Sequence, residues 1–211
     1  MDIYSTEEQQ VQAIKDWWKK NGTSVIGGSV LGLAAVFGWR YFGEYQVAQQ
    51  EAASDAYQQV VTQVAGNTAE LAPLANYVAA NQGDKNYSVF ASLLLAKELV
   101  AKEDFTQAQT QLNLALEGAP EELKGLIYTR LARVQAQQAA FTDALASLAL
   151  VSEPALTATV EIIKGDIYLQ QGDTDLARQA YQAAVAAGAS EVDPSVNMKL
   201  NDLTQVEATN G

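Results

Sequence analysis

The most distinctive pattern in the chain is a stretch of nineteen residues without a charge, positions 21–39, reading NGTSVIGGSVLGLAAVFGW. As a helix it would cover roughly 28 Å, close to the hydrocarbon thickness of a bilayer. In water its glycines would make a poor helix, but in lipid the backbone must satisfy its own hydrogen bonds. The pattern therefore predicts a transmembrane helix over 21–42, preceded by a short tail over 1–20.

Two other interpretations of this stretch are a buried core helix and a cleaved signal peptide. A signal peptide would begin with a short basic region, whereas here about twenty residues precede the apolar run and four of them are acidic. No A-x-A cleavage motif closes the stretch, and aromatic residues flank it on both sides, as in the interfacial belts of membrane helices. A retained membrane anchor is favoured.

Beyond residue 42 the apolar positions recur at helical spacing, and no strand-type alternation is sustained. Turn-forming residues interrupt the pattern at regular intervals, which predicts an array of antiparallel helices. A long helix is expected over 44–64, free to continue from the membrane helix. With a second helix over 69–80 it would form an atypical capping hairpin, assigned to 43–88.

Three similar segments follow: FTQA at 105–108, FTDA at 141–144 and TDLA at 174–177, starting 36 and 33 residues apart. Twelve residues before the last alanine of each motif stands a small residue, Ala96, Ala132 or Gly165. The arrangement resembles the tetratricopeptide pattern, in which small residues lie where two helices cross closely.

The fold class is therefore predicted as all-α, with three degenerate tetratricopeptide-like repeats over 89–190. The third repeat matches the pattern best, because the first two lack its central glycine. A generic alanine-rich bundle is the alternative. Residues 191–211 are expected to form a capping helix, Ser195 to Leu203, and a frayed tail.

Basic residues are distributed unevenly around the predicted membrane helix. Lys15, Lys19 and Lys20 precede it, whereas after Arg40 the next basic residue is Lys85. Because cytoplasmic flanks carry the excess of lysine and arginine, the tail is expected in the cytoplasm and the rest of the chain across the membrane.

The charge of the chain lies in the part beyond the anchor. Residues 41–211 hold nine basic and twenty-one acidic side chains, which account for the whole net charge of −12. This argues against nucleic acid or an anionic lipid surface as the target of the globular part.

The residue inventory offers little for catalysis. The chain has no cysteine and no histidine, which removes the commonest metal ligands and nucleophile–base pairs. No G-x-S-x-G motif is present, and the acidic pairs stand at predicted helix starts, where they favour the helix dipole. We expect a protein that is not an enzyme and that holds neither a metal nor a cofactor.

Two features suggest interaction sites. Ser24, Gly28 and Gly32 form a stripe of small residues that would let another membrane helix approach closely, although glycine is common in such helices anyway. The second feature is the concave side of the repeat array, formed by the first helix of each pair. The residues expected to face it are Phe90, Leu93, Lys97, Val100, Leu126, Thr129, Arg133, Ala136, Ile162 and Leu169.

Apolar residues with two cations, Lys97 and Arg133, suit an extended or unfolded polypeptide segment that offers carbonyl groups or a carboxylate. The alternative is that both cations form ordinary surface ion pairs. The six residues for which we predict a role in binding are Leu93, Lys97, Val100, Leu126, Thr129 and Arg133.

The N-terminal block, DIYSTEEQQV at 2–11 and AIKDWWKKNG at 13–22, resembles the bacterial ancillary SecYEG translocon subunits. GWRY at 38–41 and LARVQ at 131–135 resemble the same family, and the similarity extends over essentially the whole chain. The resemblance implies a single-span inner-membrane protein with a periplasmic tetratricopeptide-like domain. It also implies association with SecYEG and with the periplasmic chaperone PpiD, and a role in handing over unfolded exported polypeptides.

The alternative function is regulation of an envelope stress response, in which the cytoplasmic tail would act on a response regulator. That role is also implied by the resemblance alone.

Overall fold

The computed structural model describes the backbone of residues 7–66, 70–81 and 87–210. These residues form helices and no strand, which confirms the all-α prediction. The helices are α1 Glu7–Gly66, α2 Ala72–Ala80, α3 Tyr87–Ala101, α4 Phe105–Gly118, α5 Glu121–Gln137, α6 Phe141–Ala149, α7 Thr157–Gln171, α8 Thr174–Ala186, α9 Ala189–Val192 and α10 Ser195–Asn210. The chain divides into two compact units between Asp55 and Ala56.

The first unit consists of the part of α1 up to Asp55. The charge-free stretch lies inside this helix, and large apolar side chains along it are exposed, such as Leu31, Phe37 and Trp39. By length and composition α1 is able to cross a membrane, and it is the one helix of the described residues that meets this criterion. The helix is unbroken from Glu7 to Gly66, so the charge-free stretch and the helix predicted over 44–64 belong to one helix.

The second unit, called the repeat domain here, contains three helix pairs: α3 with α4, α5 with α6, and α7 with α8. The aligned residues Ala108, Ala144 and Ala177 are 0% exposed. A side chain at Gly165 would begin 2.5 Å from Cδ1 of the buried Tyr181 ring. Small residues therefore permit the close approach of paired helices, as the repeat pattern predicted.

The core runs along the array as three successive clusters, and neighbouring clusters share a helix. The first joins the end of α1 to α2, α3, α4 and one side of α5. The second joins α5, α6 and α7, and the third joins α7 to α8, α9 and α10. Each pair thus covers the apolar face of its neighbour, and α10 closes the array with Val196 and Leu203. This helix continues to Asn210, beyond the predicted end at Leu203.

The first helix of each pair ends in the same left-handed turn. Glu103, Ala139 and Gly172 have φ values of 61°, 56° and 81°. In each turn the residue after the left-handed one donates its backbone N–H to the carbonyl five residues before it, in a 2.9 Å hydrogen bond. This is the pattern of a Schellman motif. The three bonds join Asp104 to Leu99, Ala140 to Gln135, and Asp173 to Tyr168. The first two repeats therefore keep the same turn geometry, although they lack the glycine.

We predict that Ala139→Gly stabilises the repeat domain. A left-handed conformation costs a residue with a Cβ about 1–2 kcal/mol, and glycine removes this cost. The greater freedom of glycine in the unfolded chain offsets about 0.5–1 kcal/mol of the stability gained. Ala139 is exposed, so the change removes no core packing. Thermal unfolding of the full chain, followed by circular dichroism, should show a higher midpoint.

The matched control is Gly172→Ala, which makes the opposite change in the equivalent turn and should lower the midpoint. A lower midpoint for both variants would show that the turn conformation does not limit stability at Ala139.

Candidate binding groove

A groove of about 530 Å³ lies between α3 and α5, with Tyr57 near the end of α1 contributing to its wall. Phe90, Val100 and Leu126 line it and remain 46%, 38% and 38% exposed, so apolar surface is open to a ligand. The residues that line the groove are Tyr57, Phe90, Leu93, Leu94, Ala96, Lys97, Val100, Leu112, Leu123, Leu126, Ile127, Arg130, Arg133 and Val134.

Helical spacing places these side chains on one face of each helix. On α3 the central lining positions are 90, 93, 97 and 100, and on α5 they are 123, 126, 130 and 133. Both sets follow steps of three, four and three residues, which keep side chains on one side of a helix. The two helices therefore present matching faces, 33 residues apart in sequence.

Five of the six predicted binding residues line this groove, namely Leu93, Lys97, Val100, Leu126 and Arg133. Thr129 does not, which corrects its placement. Its side chain is 1% exposed and its hydroxyl donates a 2.7 Å hydrogen bond to the carbonyl of Leu126. The sequence expectation placed each α5 residue 36 residues after its counterpart on α3, which is the spacing of the FTQA and FTDA motifs. In the structure the α5 residues that line the groove follow their α3 counterparts by 33 residues.

Three further residues expected on the concave side, Ala136, Ile162 and Leu169, also lie outside this groove. Ala136 and Ile162 are buried, 5% and 4% exposed, and Leu169 is exposed without lining it. Arg130 was missed, although its position between Leu126 and Arg133 at helical spacing was a usable signal.

Tyr57 was also missed, because the pattern assigned its helix to a capping hairpin rather than to the groove. Its ring packs near those of Tyr77 and Tyr87, with centroids 6.2 and 5.4 Å away. Burial raises the pKa of the Tyr57 phenol, which stays neutral at physiological pH. The wall that it forms is therefore uncharged and held in place by aromatic packing.

The charged side chains that line the groove are of one sign. Lys97, Arg130 and Arg133 line it, and its described lining contains no aspartate or glutamate. Lys97 contacts Glu98 at 3.2 Å, and its own side chain is 76% exposed. The side chains that α5 contributes to the groove therefore carry positive charge, in a domain that is acidic overall.

A second cavity, of about 500 Å³, adjoins the first and shares Val100, Arg133 and Val134 with it. It continues toward α7 and carries two carboxylates, Glu103 and Asp166. The two cavities form one surface across the first helices of the three pairs. Its cations lie on α3 and α5, and its carboxylates lie in the turn after α3 and on α7.

Asp166 also holds the end of the array together. It accepts hydrogen bonds from the Tyr181 hydroxyl at 2.6 Å and from Lys199 Nζ at 2.5 Å, and Lys199 lies 5.7 Å from the centroid of the Tyr181 ring. Burial raises the pKa of Tyr181 strongly, and the bond to Asp166 raises it further. This cluster links α7, α8 and α10.

Comparison with known proteins agrees with this architecture. A family model described as "Tetratricopeptide repeat-like domain" matches residues 15–205. A protein of Escherichia coli K12 named "Ancillary SecYEG translocon subunit" is 36% identical over 97% of this chain and 100% of its own length. The chain belongs to the ancillary SecYEG translocon subunit family.

Two further members of this family are similarly close. The ancillary SecYEG translocon subunit of Haemophilus influenzae is 35% identical, over 93% of this chain and 97% of its own length. The one from Aggregatibacter actinomycetemcomitans is 32% identical over the same shares. Family membership together with α1 indicates a single-pass protein of the inner membrane.

The predicted small-residue stripe lies on the exposed surface of α1. Ser24, Gly28 and Gly32 are exposed, and a Cβ added at either glycine would meet no atom within 4 Å. Another helix could therefore approach α1 along this stripe. Its role in helix contact stays a prediction.

We predict that stability decreases above about pH 10 and that Tyr181→Phe reduces this decrease. The folded-state pKa of Tyr181 is raised, so its contribution is complete below the unfolded pKa of about 10 and is lost as pH rises further. At pH 7 the variant should lose about 1–2 kcal/mol with the bond to Asp166. Urea unfolding of the full chain at pH 7 and pH 11 measures both effects.

Tyr168→Phe, in the same helix pair, serves as the control and should keep the alkaline decrease. An equal decrease in the Tyr181→Phe variant would show that other groups cause it.

Proposed function

We propose that this chain is an accessory subunit of the SecYEG translocon and that its repeat domain holds segments of exported polypeptides in the groove between α3 and α5. The observation that carries the proposal is the near full-length similarity to proteins named as ancillary subunits of that translocon. The groove supports the holding role, because it combines open apolar surface with cations on a helix-pair scaffold. Such scaffolds present extended concave surfaces to their ligands.

The proposed orientation places the tail in the cytoplasm and the repeat domain in the periplasm. Its support is the excess of lysine before the charge-free stretch, where Lys15, Lys19 and Lys20 lie on α1. In this orientation the groove would face polypeptides as they leave the channel. The subunit would not catalyse a reaction but would delay aggregation and pass segments onward.

PpiD is the proposed receiving partner, on the strength of the family resemblance. The stress-response alternative places the contact in residues 1–20, of which 1–6 lie outside the described residues. No feature of the described part of that tail favours a response regulator, so the translocon proposal is preferred.

The orientation is tested with alkaline phosphatase fused to the C-terminus, because that enzyme is active only after export. We expect high phosphatase activity in cells. A matched fusion of a cytoplasmic reporter at the same position should be inactive. A well-expressed phosphatase fusion without activity would reverse the orientation and would remove the periplasmic holding role.

Association with the translocon is tested by the variant Gly28→Leu/Gly32→Leu. Leucine preserves the apolar character of α1 but prevents close helix approach, so recovery of SecYEG with the tagged subunit should decrease. Quantitative immunoblotting of the co-purified channel, in mild detergent, measures the change.

The matched control is Gly27→Leu/Gly38→Leu. At 3.6 residues per turn, both of these positions lie about 100° around the helix from the Gly28–Gly32 stripe. Equal channel recovery from both double variants would show that the stripe makes no specific contact. Absence of the channel from the wild-type preparation would overturn the accessory role itself.

A further inference from the structure

We infer that the groove between α3 and α5 selects polypeptide segments in which a carboxylate lies next to large apolar side chains, with Arg130 and Arg133 binding the carboxylate. The inference rests on the proposed function, since it names the class of segment that the groove prefers. It differs from the sequence expectation, which paired Lys97 with Arg133.

Arg130 and Arg133 differ in their pairing from other basic side chains of the repeat domain. Five others form ion pairs of 2.5–3.2 Å with a nearby carboxylate: Lys97–Glu98, Lys124–Glu121, Lys164–Glu161, Arg178–Asp175 and Lys199–Asp166. Within the described part of the chain, no carboxylate forms an ion pair or a hydrogen bond with Arg130 or Arg133. Hydrogen bonds from Ser195 lower the pKa of Asp193, and Arg133 contributes to this only through its charge.

The two arginines are placed to act together. They stand three residues apart on α5, where side chains are neighbours on one helix face, and both residues are exposed. Guanidinium groups bind carboxylates through two parallel hydrogen bonds, which a lysine cannot reproduce. The pair therefore offers a site with defined geometry for an acidic side chain or a C-terminal carboxylate.

The composition of the groove supports an acidic ligand rather than a basic one. Residues 41–211 contain twenty-one acidic side chains against nine basic ones, yet the described lining of this groove holds three cations and no acid. A basic segment would meet like charges here and would lose hydration without gaining a partner. Charge complementarity thus assigns a carboxylate-bearing segment to the groove.

The apolar part of the site lies beside the arginines. Phe90 and Leu93 on α3 and Leu126 on α5 line the same groove, with Phe90 almost half exposed. Large apolar side chains of the ligand would bury this surface while the carboxylate reaches α5. The neighbouring cavity limits the position of the carboxylate, because its own carboxylates, Glu103 after α3 and Asp166 on α7, would repel a ligand carboxylate there.

The test measures binding of three fluorescent peptides to the full chain in lipid nanodiscs by anisotropy. The peptides share their length and their leucine and phenylalanine residues, and differ at two central positions, which are glutamate, glutamine or lysine. We expect the glutamate peptide to bind about tenfold more tightly than the glutamine peptide, a difference of about 1.4 kcal/mol. The lysine peptide should bind most weakly, and about 1 M salt should reduce the difference.

The variant Arg130→Gln/Arg133→Gln should abolish the preference for glutamate while keeping the weaker binding of the glutamine peptide. Its matched control is Lys124→Gln/Lys164→Gln, which removes the same net charge from cations that do not line the groove. That control should keep the preference. Phe90→Ser should weaken the binding of all three peptides, because Phe90 lines this groove.

Each other outcome has a defined meaning. Equal binding of the three peptides, weakened by Phe90→Ser, would overturn the carboxylate preference but leave the holding function intact. If both double variants lose the preference for glutamate equally, that preference is a general effect of net charge. This result would also overturn the proposed role of Arg130 and Arg133. If none of the three peptides binds to a folded protein that still recovers SecYEG, the groove is not a holding site. This result would leave the accessory role intact.

Discussion

Close approach of paired helices is the constraint on which the repeat domain depends. Alanine and glycine stand at the crossings, and a Cβ at Gly165 would already meet the buried ring of Tyr181. Because the helices of a pair lie so close, each pair has a thin core and must share apolar surface with the next. The successive clusters and the capping by α10 follow from this requirement.

The groove is a consequence of the same stacking. When α3 and α5 lie side by side as the first helices of successive pairs, their free faces form one concave surface. Apolar residues on these faces cannot be covered by a further pair, so Phe90 and Leu126 stay exposed. Contiguous exposed apolar surface is a feature of interaction sites and ligand-binding grooves. The cations that line the groove, Lys97, Arg130 and Arg133, are the basis of the proposed preference for acidic segments.

The left-handed turns show how a repeat persists when its signature residues are lost. Glu103 and Ala139 adopt the backbone conformation that Gly172 adopts readily, and the same 2.9 Å bond closes all three turns. Packing of the helix pairs outweighs the local cost of about 1–2 kcal/mol at each of these residues. The degenerate first and second repeats therefore keep the turn geometry of the third, although their sequences match the pattern less well.

The sequence by itself determined the helical class, the membrane-length helix, the three pairs and the small residues at the crossings. These features follow from local periodicity, from the absence of charge over 21–39 and from repeated spacings, all of which are visible along one chain. Only the tertiary structure decided which face of α5 opens to the groove. The rotation of a helix about its axis is set by its neighbours. A difference of three residues in the frame buried Thr129 and placed Arg130 in the lining of the groove. The contribution of Tyr57 likewise depended on packing between segments distant in sequence, which no local pattern records.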